Sequence, residues 1–203
     1  MAYRALTEIP YKTVTRPSVY LRCLEELEEE EVFIISSRQM AERFGLDSAQ
    51  LRKDLAYFGQ FGVRGVGYHV PSLERHLKEI LGLNQEWKVA LVGAGNLGSA
   101  LLKYKGFPQK GFKICAVFDS NPTKVGRAVA GAEIKHPKKM PYLLRKEGIR
   151  IGIIAVPASA AQEVAEKLVA SGVTSILNLA PAQLSLPPEV KVQHLSLIHI
   201  SEP

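Results

Sequence analysis

Val89-Ala90-Leu91-Val92 runs directly into Gly93-Ala94-Gly95-Asn96-Leu97-Gly98, and this junction constrains the fold of the 203-residue chain more than any other stretch. It is the G-x-G-x-x-G pattern set after an apolar strand and before a helix-forming segment. Each glycine has its own steric task. Gly93 allows the tight turn out of the strand, Gly95 lets a pyrophosphate approach the backbone, and Gly98 lets the helix pack on the strand. The helix N-terminus then offers free N–H groups and a partial positive charge to an anion. Gly93, Ala94, Gly95, Asn96, Leu97 and Gly98 are therefore the expected phosphate-side contacts.

Asp119 closes the next apolar run, 26 residues after Gly93 and 21 after Gly98. A carboxylate there is placed to bind the adenosine ribose hydroxyls and to repel a 2′-phosphate, which favours NAD(H) over NADP(H). Lys124 and Arg127 pull the other way, and Lys124 joins the expected cofactor contacts. The plain alternative for Asp119 is a turn residue capping Asn121-Pro122.

From residue 83 onward, apolar β-forming runs alternate with helical ones. Strands are expected at 87–92, 112–118, 132–136, 151–156, 173–179 and 190–193, and helices at 96–104, 137–146 and 158–170. Such alternation predicts an α/β domain over 83–194, a doubly wound parallel sheet of the Rossmann kind with helices on both faces. Val156-Pro157 and Ala180-Pro181 follow its fourth and fifth strands. They stand at the carboxyl edge, where ligands of such sheets bind.

Residues 1–82 read differently. Pro17 suits the first position of a helix carrying Leu21, Leu24 and Leu27. Ser36 and Gln39 form a capping box before Met40, Ala41 and Phe44, and Gly45 is a stop. Asp47-Ser48-Ala49-Gln50 repeats the capping pattern, and Leu51, Leu55 and Phe58 follow at helical spacing. The glycine-rich stretch 59–70 reads as a tight hairpin, and Pro71 opens a last helix with Leu73, Leu77, Ile80 and Leu81 on one face. Helix, turn, helix and hairpin together predict an N-terminal winged helix-turn-helix DNA-binding domain. With Leu51 facing the core, Ala49, Gln50, Arg52, Lys53, Ala56 and Tyr57 fall on the opposite side at ~100° per residue. Ser48, Gln50, Arg52 and Lys53, with Arg64 and Gly65 at the hairpin tip, are the expected contacts to double-stranded DNA. Arginine can read guanine with two bonds, and one presented between glycines suits a narrow minor groove. The plain alternative is a solvated basic face.

Charge and composition narrow the classes. Residues 1–80 carry 11 Lys/Arg against 12 Asp/Glu, whereas Ser36–Lys78 carries 7 against 4, so a nucleic-acid surface has to be local. Much of the acid lies between Glu25 and Glu31, expected to be a solvated helix end facing away from DNA. No apolar run approaches ~18 residues, and the first residues have no apolar signal core. Two cysteines, Cys23 and Cys115, are too few for a disulfide scaffold or a zinc site. They are expected to be core residues in a cytoplasmic protein. His69 and His76 have no partner at ligand spacing, so no metal is expected. Residues 83–194 are used up by the nucleotide domain, no His or Lys follows a strand in a catalytic setting, and no enzyme is expected. Two other readings stay open: an NAD-dependent oxidoreductase with an unusual helical domain, and a winged-helix protein whose sheet binds coenzyme A or AMP.

Over residues ~14 to 194 the chain resembles the Rex family, the redox-sensing transcriptional repressors of bacteria. The resemblance rests on Tyr20-Leu21-Arg22-Cys23-Leu24-Glu25-Glu26-Leu27, on Gln50 to Gly59, on Gly62-Val63-Arg64-Gly65-Val66-Gly67-Tyr68, on Gly93 to Leu101, and on Phe118-Asp119-Ser120-Asn121-Pro122. It implies a homodimer that binds a palindromic operator with the oxidised cofactor and releases it when NADH binds. It carries DNA contacts onto Arg52, Lys53 and Arg64. Cofactor contacts fall on Gly93, Gly95, Gly98 and Asp119 and on the strand ends at Val156-Pro157 and Ala180-Pro181. It also implies switch roles for Arg22 and Tyr104, working with an acidic residue just past the partner subunit's last strand. The sequence departs from the family at its end. Leu195 to Pro203 stands where that acidic residue and an exchanged helix would follow, and it reads as one frame of a transposase sequencing adapter. These residues are expected to be a foreign tail that packs poorly, at the expense of dimerisation and switching.

Overall fold

Three side-chain caps set the helix starts of the N-terminal part of the chain. In the computed structural model, which describes residues 16–195, helix α1 (Pro17–Glu29) opens on its proline. Helix α2 (Ser37–Phe44) is capped by Ser36, whose hydroxyl accepts from Gln39 N at 3.2 Å while Gln39 Oε1 accepts from Ser36 N at 2.9 Å. Gly45 ends it in the left-handed region at φ 65°. Helix α3 (Ser48–Phe58) is capped by Asp47, which accepts from Gln50 N at 2.6 Å. Helix α4 (Val70–Ile80) is capped by His69, whose Nδ1 accepts from Ser72 N at 3.3 Å. Each cap satisfies an N–H that the helix itself leaves unpaired.

The hairpin strands β2 (Gly62–Val63) and β3 (Gly67–His69) are joined by a third, β1 (Ile34–Ile35), in the antiparallel order β1-β3-β2. The sequence reading missed β1, because two residues are too few to show a period. Its pairing places it, Ile34 opposite His69 and Ile35 opposite Tyr68. Gly67 makes that pairing possible: at φ 115°, a Cβ would lie 2.5 Å from the Ile35 carbonyl oxygen. Leu24, Leu27, Met40, Leu51, Leu73 and Leu77 fill the core beneath. The fold is a winged helix-turn-helix.

That core also holds a charge the periodicity did not reveal. Asp54 of α3 is fully buried. Its Oδ2 accepts from Arg16 Nε and from the Tyr20 hydroxyl at 2.6 Å, and its Oδ1 accepts from Arg16 Nη2 and Gln50 Nε2, both at 2.7 Å. Two donors per oxygen fill the acceptor capacity of a carboxylate. Burial alone would raise the Asp54 pKa, but these hydrogen bonds outweigh it and hold the group below the ordinary carboxylate range.

The chain divides into two compact units between Gln85 and Glu86, close to the boundary expected at 82/83. The second unit is built on β4 (Trp87–Val92), β5 (Phe112–Phe118), β6 (Ala128–Val129), β7 (Ala132–Lys135), β8 (Ile151–Ile154), β9 (Ser175–Asn178) and β10 (Lys191–His194). The order is β10-β9-β8-β4-β5-β7-β6, parallel except for β6, which pairs antiparallel with β7. Helices α5 (Asn96–Lys103), α6 (Gly106–Gln109), α7 (Met140–Glu147) and α8 (Ala158–Ala170) connect the strands. Strand β4 shows why its sequence is apolar without alternation. Ala90 and Val92 join one buried cluster while Val89 and Leu91 join another, so both faces of the sheet are covered. The β6 strand and the short α6 were not expected, and residues 137–139 form a 3-10 turn ahead of α7 rather than its first turn. Strands β8 and β9 are shorter than expected. The tail expected to be foreign falls, apart from Leu195, outside the described residues.

Two outcomes follow from this packing. A Cβ at Gly98 would lie 1.9 Å from the Gly93 carbonyl oxygen, whereas one at Gly95 meets nothing within 4 Å. Gly98→Ala should therefore cost ~1–3 kcal/mol in urea unfolding, and Gly95→Ala should leave the midpoint near that of the parent chain. The second outcome concerns Asp54. A carboxyl whose folded pKa is depressed contributes stability above its unfolded pKa of about 3.9, and loses it as the pH falls through the lower folded value. Thermal midpoints taken from about pH 6 down to about pH 3 should fall for the parent chain. Asp54→Asn should be less stable at neutral pH by on the order of 2 kcal/mol and should show a flatter acid limb.

Candidate nucleotide cradle and nucleic-acid face

Strand β4 lies between β5 and β8, so the chain leaves its two neighbours in opposite directions and opens a crevice at the carboxyl ends. A cavity of about 370 Å³ lies there, lined by Gly93, Gly95, Asp119, Lys124, Val156 and Pro157 among others. Gly93, at φ 101°, admits no side chain, since a Cβ would meet Ala155 O at 2.3 Å. Gly95 faces open space. The first backbone bond of α5 runs from Ser99 N to Gly95 O at 2.8 Å, so the N–H groups of Asn96, Leu97 and Gly98 precede the helical ladder. Asn96 is exposed, Leu97 half-buried, and Ala94 and Gly98 buried.

Asp119 takes the turn role that the sequence offered as the plain alternative, and it also holds the glycine-rich loop. Its Oδ1 accepts from Asn121 N at 2.8 Å and shapes the turn. Its Oδ2 accepts from Ala94 N at 2.9 Å and from Lys124 Nζ at 3.2 Å, tying the end of β5 to the glycine-rich loop. Burial pushes its pKa up, and the bonds from Asn121, Ala94 and Lys124 outweigh that and hold the carboxyl below its ordinary range. The Lys124 ammonium offsets part of the charge that would repel a 2′-phosphate.

Ala180 and Pro181 do not line this cavity; they follow β9, one strand further out. The sequence puts Asn178 at this carboxyl edge but does not show its role: it is fully buried and shapes that edge. Its Oδ1 accepts from Ala180 N at 3.0 Å and its Nδ2 donates to Ala182 O at 2.8 Å. An asparagine closing an apolar strand just before Leu179-Ala180-Pro181 was the available signal.

In the first unit, α3 buries Leu51 and Leu55 and exposes Ala49, Arg52, Lys53 and Ala56. Ser48 is half-buried. Arg52 Nη1 donates to Ser37 Oγ at 2.9 Å, which steadies the guanidinium beside α2. The concave surface between α3 and the hairpin is an open groove of about 550 Å³ lined by Ser37, Arg52, Ala56, Val63, Arg64 and Tyr68. Val66 N donates to Val63 O at 3.0 Å across the hairpin tip, where Gly65 takes φ 83° and Arg64 is exposed. Gln50 differs from the freely exposed side chain that the helical wheel implies. It is half-buried, with its amide turned along the helix to Asp54.

Arg22 is exposed on α1, and Tyr104 is 62% exposed after α5, its ring edge-on to Phe107 at 5.4 Å. The acidic run at the end of α1 is mostly solvent-exposed, as expected, and Arg43 pairs with Glu26 and Glu30 on that surface. Cys23 is buried and Cys115 only partly so. Among the described residues no three His, Cys, Asp or Glu side chains group to hold a metal, and no helix is long and apolar enough to cross a membrane.

Known proteins match both units. A family model described as a CoA binding domain covers residues 84–182, and one described as a putative DNA-binding protein N-terminus covers residues 8–56. The redox-sensing transcriptional repressor Rex of Pelotomaculum thermopropionicum is 50% identical over 94% of this chain and 89% of its own length. The Rex of Streptomyces coelicolor is 46% identical over 93% of this chain and 73% of its own. The crystal structure of RSP, a Rex-family repressor, in complex with β-NAD+ and operator DNA superposes with a TM-score of 0.91 at 35% identity, over 95% of this chain and 88% of that one. RSP in complex with β-NADH gives 0.88 at 33% identity, over 95% and 90% of the two chains. With identity of this degree over nearly its whole length, and with the same two folds in the same order, the chain belongs to the Rex family of redox-sensing transcriptional repressors.

Proposed function

We propose that this chain represses transcription by binding a palindromic operator as a homodimer and lets go when NADH occupies the crevice beyond β4, β5 and β8. It acts in the cytoplasm and catalyses no reaction. The observation that carries this reading is the pairing, in one chain, of an exposed Arg52-Lys53 helix face beside an Arg64-tipped hairpin with a glycine cradle whose Gly95 opens onto unfilled space. The names of the relatives and the operator complex of RSP support it.

The residues fit a dinucleotide. The N-terminus of α5 meets the pyrophosphate through the N–H groups of Asn96, Leu97 and Gly98. Asp119 and Lys124 receive the adenosine ribose, and Val156, Pro157, Ala180 and Pro181 border the carboxyl edge. On reduction the nicotinamide loses its positive charge, and that change of charge is the signal. Arg22 and Tyr104 respond to it with the partner subunit. Ser48, Gln50, Arg52 and Lys53 enter the major groove, and Arg64 and Gly65 approach the minor groove.

The CoA description of residues 84–182 favours one second reading, a sheet that takes coenzyme A. Calorimetry with NADH, NAD+ and coenzyme A separates the two. NADH should bind the parent chain, Gly95→Val should abolish binding by filling the pyrophosphate space, and Asp119→Ala should weaken it by ~1–3 kcal/mol. Equal NADH binding to the parent and Gly95→Val would overturn the cradle.

Gel shifts against operator duplexes test the other half. Arg52→Ala and Lys53→Ala should each lose ~1–3 kcal/mol of operator binding, the affinity of the parent should fall steeply with salt, and NADH but not NAD+ should release the probe. Unchanged affinity in both variants refutes the assignment of the face.

A further inference from the structure

We infer that Gln50 reads adenine in each operator half-site, and that buried Asp54 makes this possible by holding the Gln50 amide in one orientation. The inference rests on the repressor reading above and adds the base and the device that selects it.

Gln50 stands in the first turn of α3, its backbone N–H held by Asp47 at 2.6 Å. The N-terminal residues of a recognition helix are the ones that meet base edges in the major groove. Its side chain is half-buried, with Nε2 donating to Asp54 Oδ1 at 2.7 Å. That bond has only one possible sense. Asp54 is ionised beside Arg16, and an ionised carboxylate only accepts, so the amide nitrogen must face inward. The other three acceptor positions of Asp54 are taken by two N–H groups of Arg16 and by the Tyr20 hydroxyl, and Gln50 supplies the fourth donor. A flipped amide would set two acceptors against each other inside the protein.

What remains for DNA is the carbonyl Oε1 and the second N–H of Nε2, an acceptor beside a donor. In the major groove, adenine presents the complementary pair, with N6–H as donor and N7 as acceptor. Guanine presents two acceptors there, thymine O4 is an acceptor, and cytosine N4 donates with no acceptor beside it. A glutamine free to rotate could satisfy other edges by turning over. Pinned to Asp54, this one cannot.

In vitro selection from duplexes with randomised half-sites tests this on the full parent chain, on Gln50→Ala and on Asp54→Asn. The parent should select adenine at one symmetry-related position per half-site. Gln50→Ala should lose that preference by about 5- to 150-fold and keep the bases selected elsewhere. Asp54→Asn presents a side chain that donates as well as accepts, so preference should broaden at the same position only. Should Asp54→Asn not fold, Gln50→Ala carries the test alone, because its side chain lies outside the apolar core. The inference is overturned if Gln50→Ala selects the same bases as the parent, with affinity unchanged or lowered uniformly, or if the position it affects is not adenine in the parent. A parent that selects no motif at all overturns the repressor reading as well.

Discussion

The second unit depends on one close approach. The carbonyl of Gly93 sits where a Cβ of Gly98 would be, and Gly93 itself lies against Ala155 of the neighbouring strand. No side chain larger than hydrogen is compatible with either contact. These two glycines bring α5 down onto the end of β4 and bring β8 alongside, and the crevice exists because they do. Gly95 lies between them and serves a different end, since its missing side chain leaves space in the cavity rather than relieving a contact within the protein.

The first unit has its counterpart in Asp54. A charge in an apolar core is costly unless every lone pair is used, and here four donors use them. The arrangement joins the start of α1 to the middle of α3, so the helix that carries Arg52 and Lys53 is held by polar bonds as well as by Leu51 and Leu55. Asp119 works on the same principle at the other site: a partly buried carboxylate, kept ionised by N–H donors and a lysine, fixes a loop from which further polar groups project. In both units a carboxylate shapes the neighbouring surface, the Arg52-Lys53 helix face in one and the rim of the crevice in the other.

Helix caps at Ser36 and Asp47, the stop at Gly45 and the strand–turn–helix at residues 89–98 were all legible in the residues, because each is settled within a few positions of chain. The face carrying Arg52 and Lys53 was legible for the same reason, since the position of Leu51 fixes it through the helical period. Other features depend on distant partners. Strand β1 is two residues long and exists only through its pairing with β3. Asp54 takes its charge partner from Arg16, 38 residues away. Arg43 finds Glu26 on another helix and Glu30 just past that helix's end, and Asn178 Nδ2 lies 3.1 Å from His194 Nδ1 of β10. Short-range patterns thus reveal which elements form and which faces they bury. Folding alone brings residues remote in sequence within hydrogen-bond reach, and so settles which buried polar groups are satisfied and which way Gln50 and Asp119 turn.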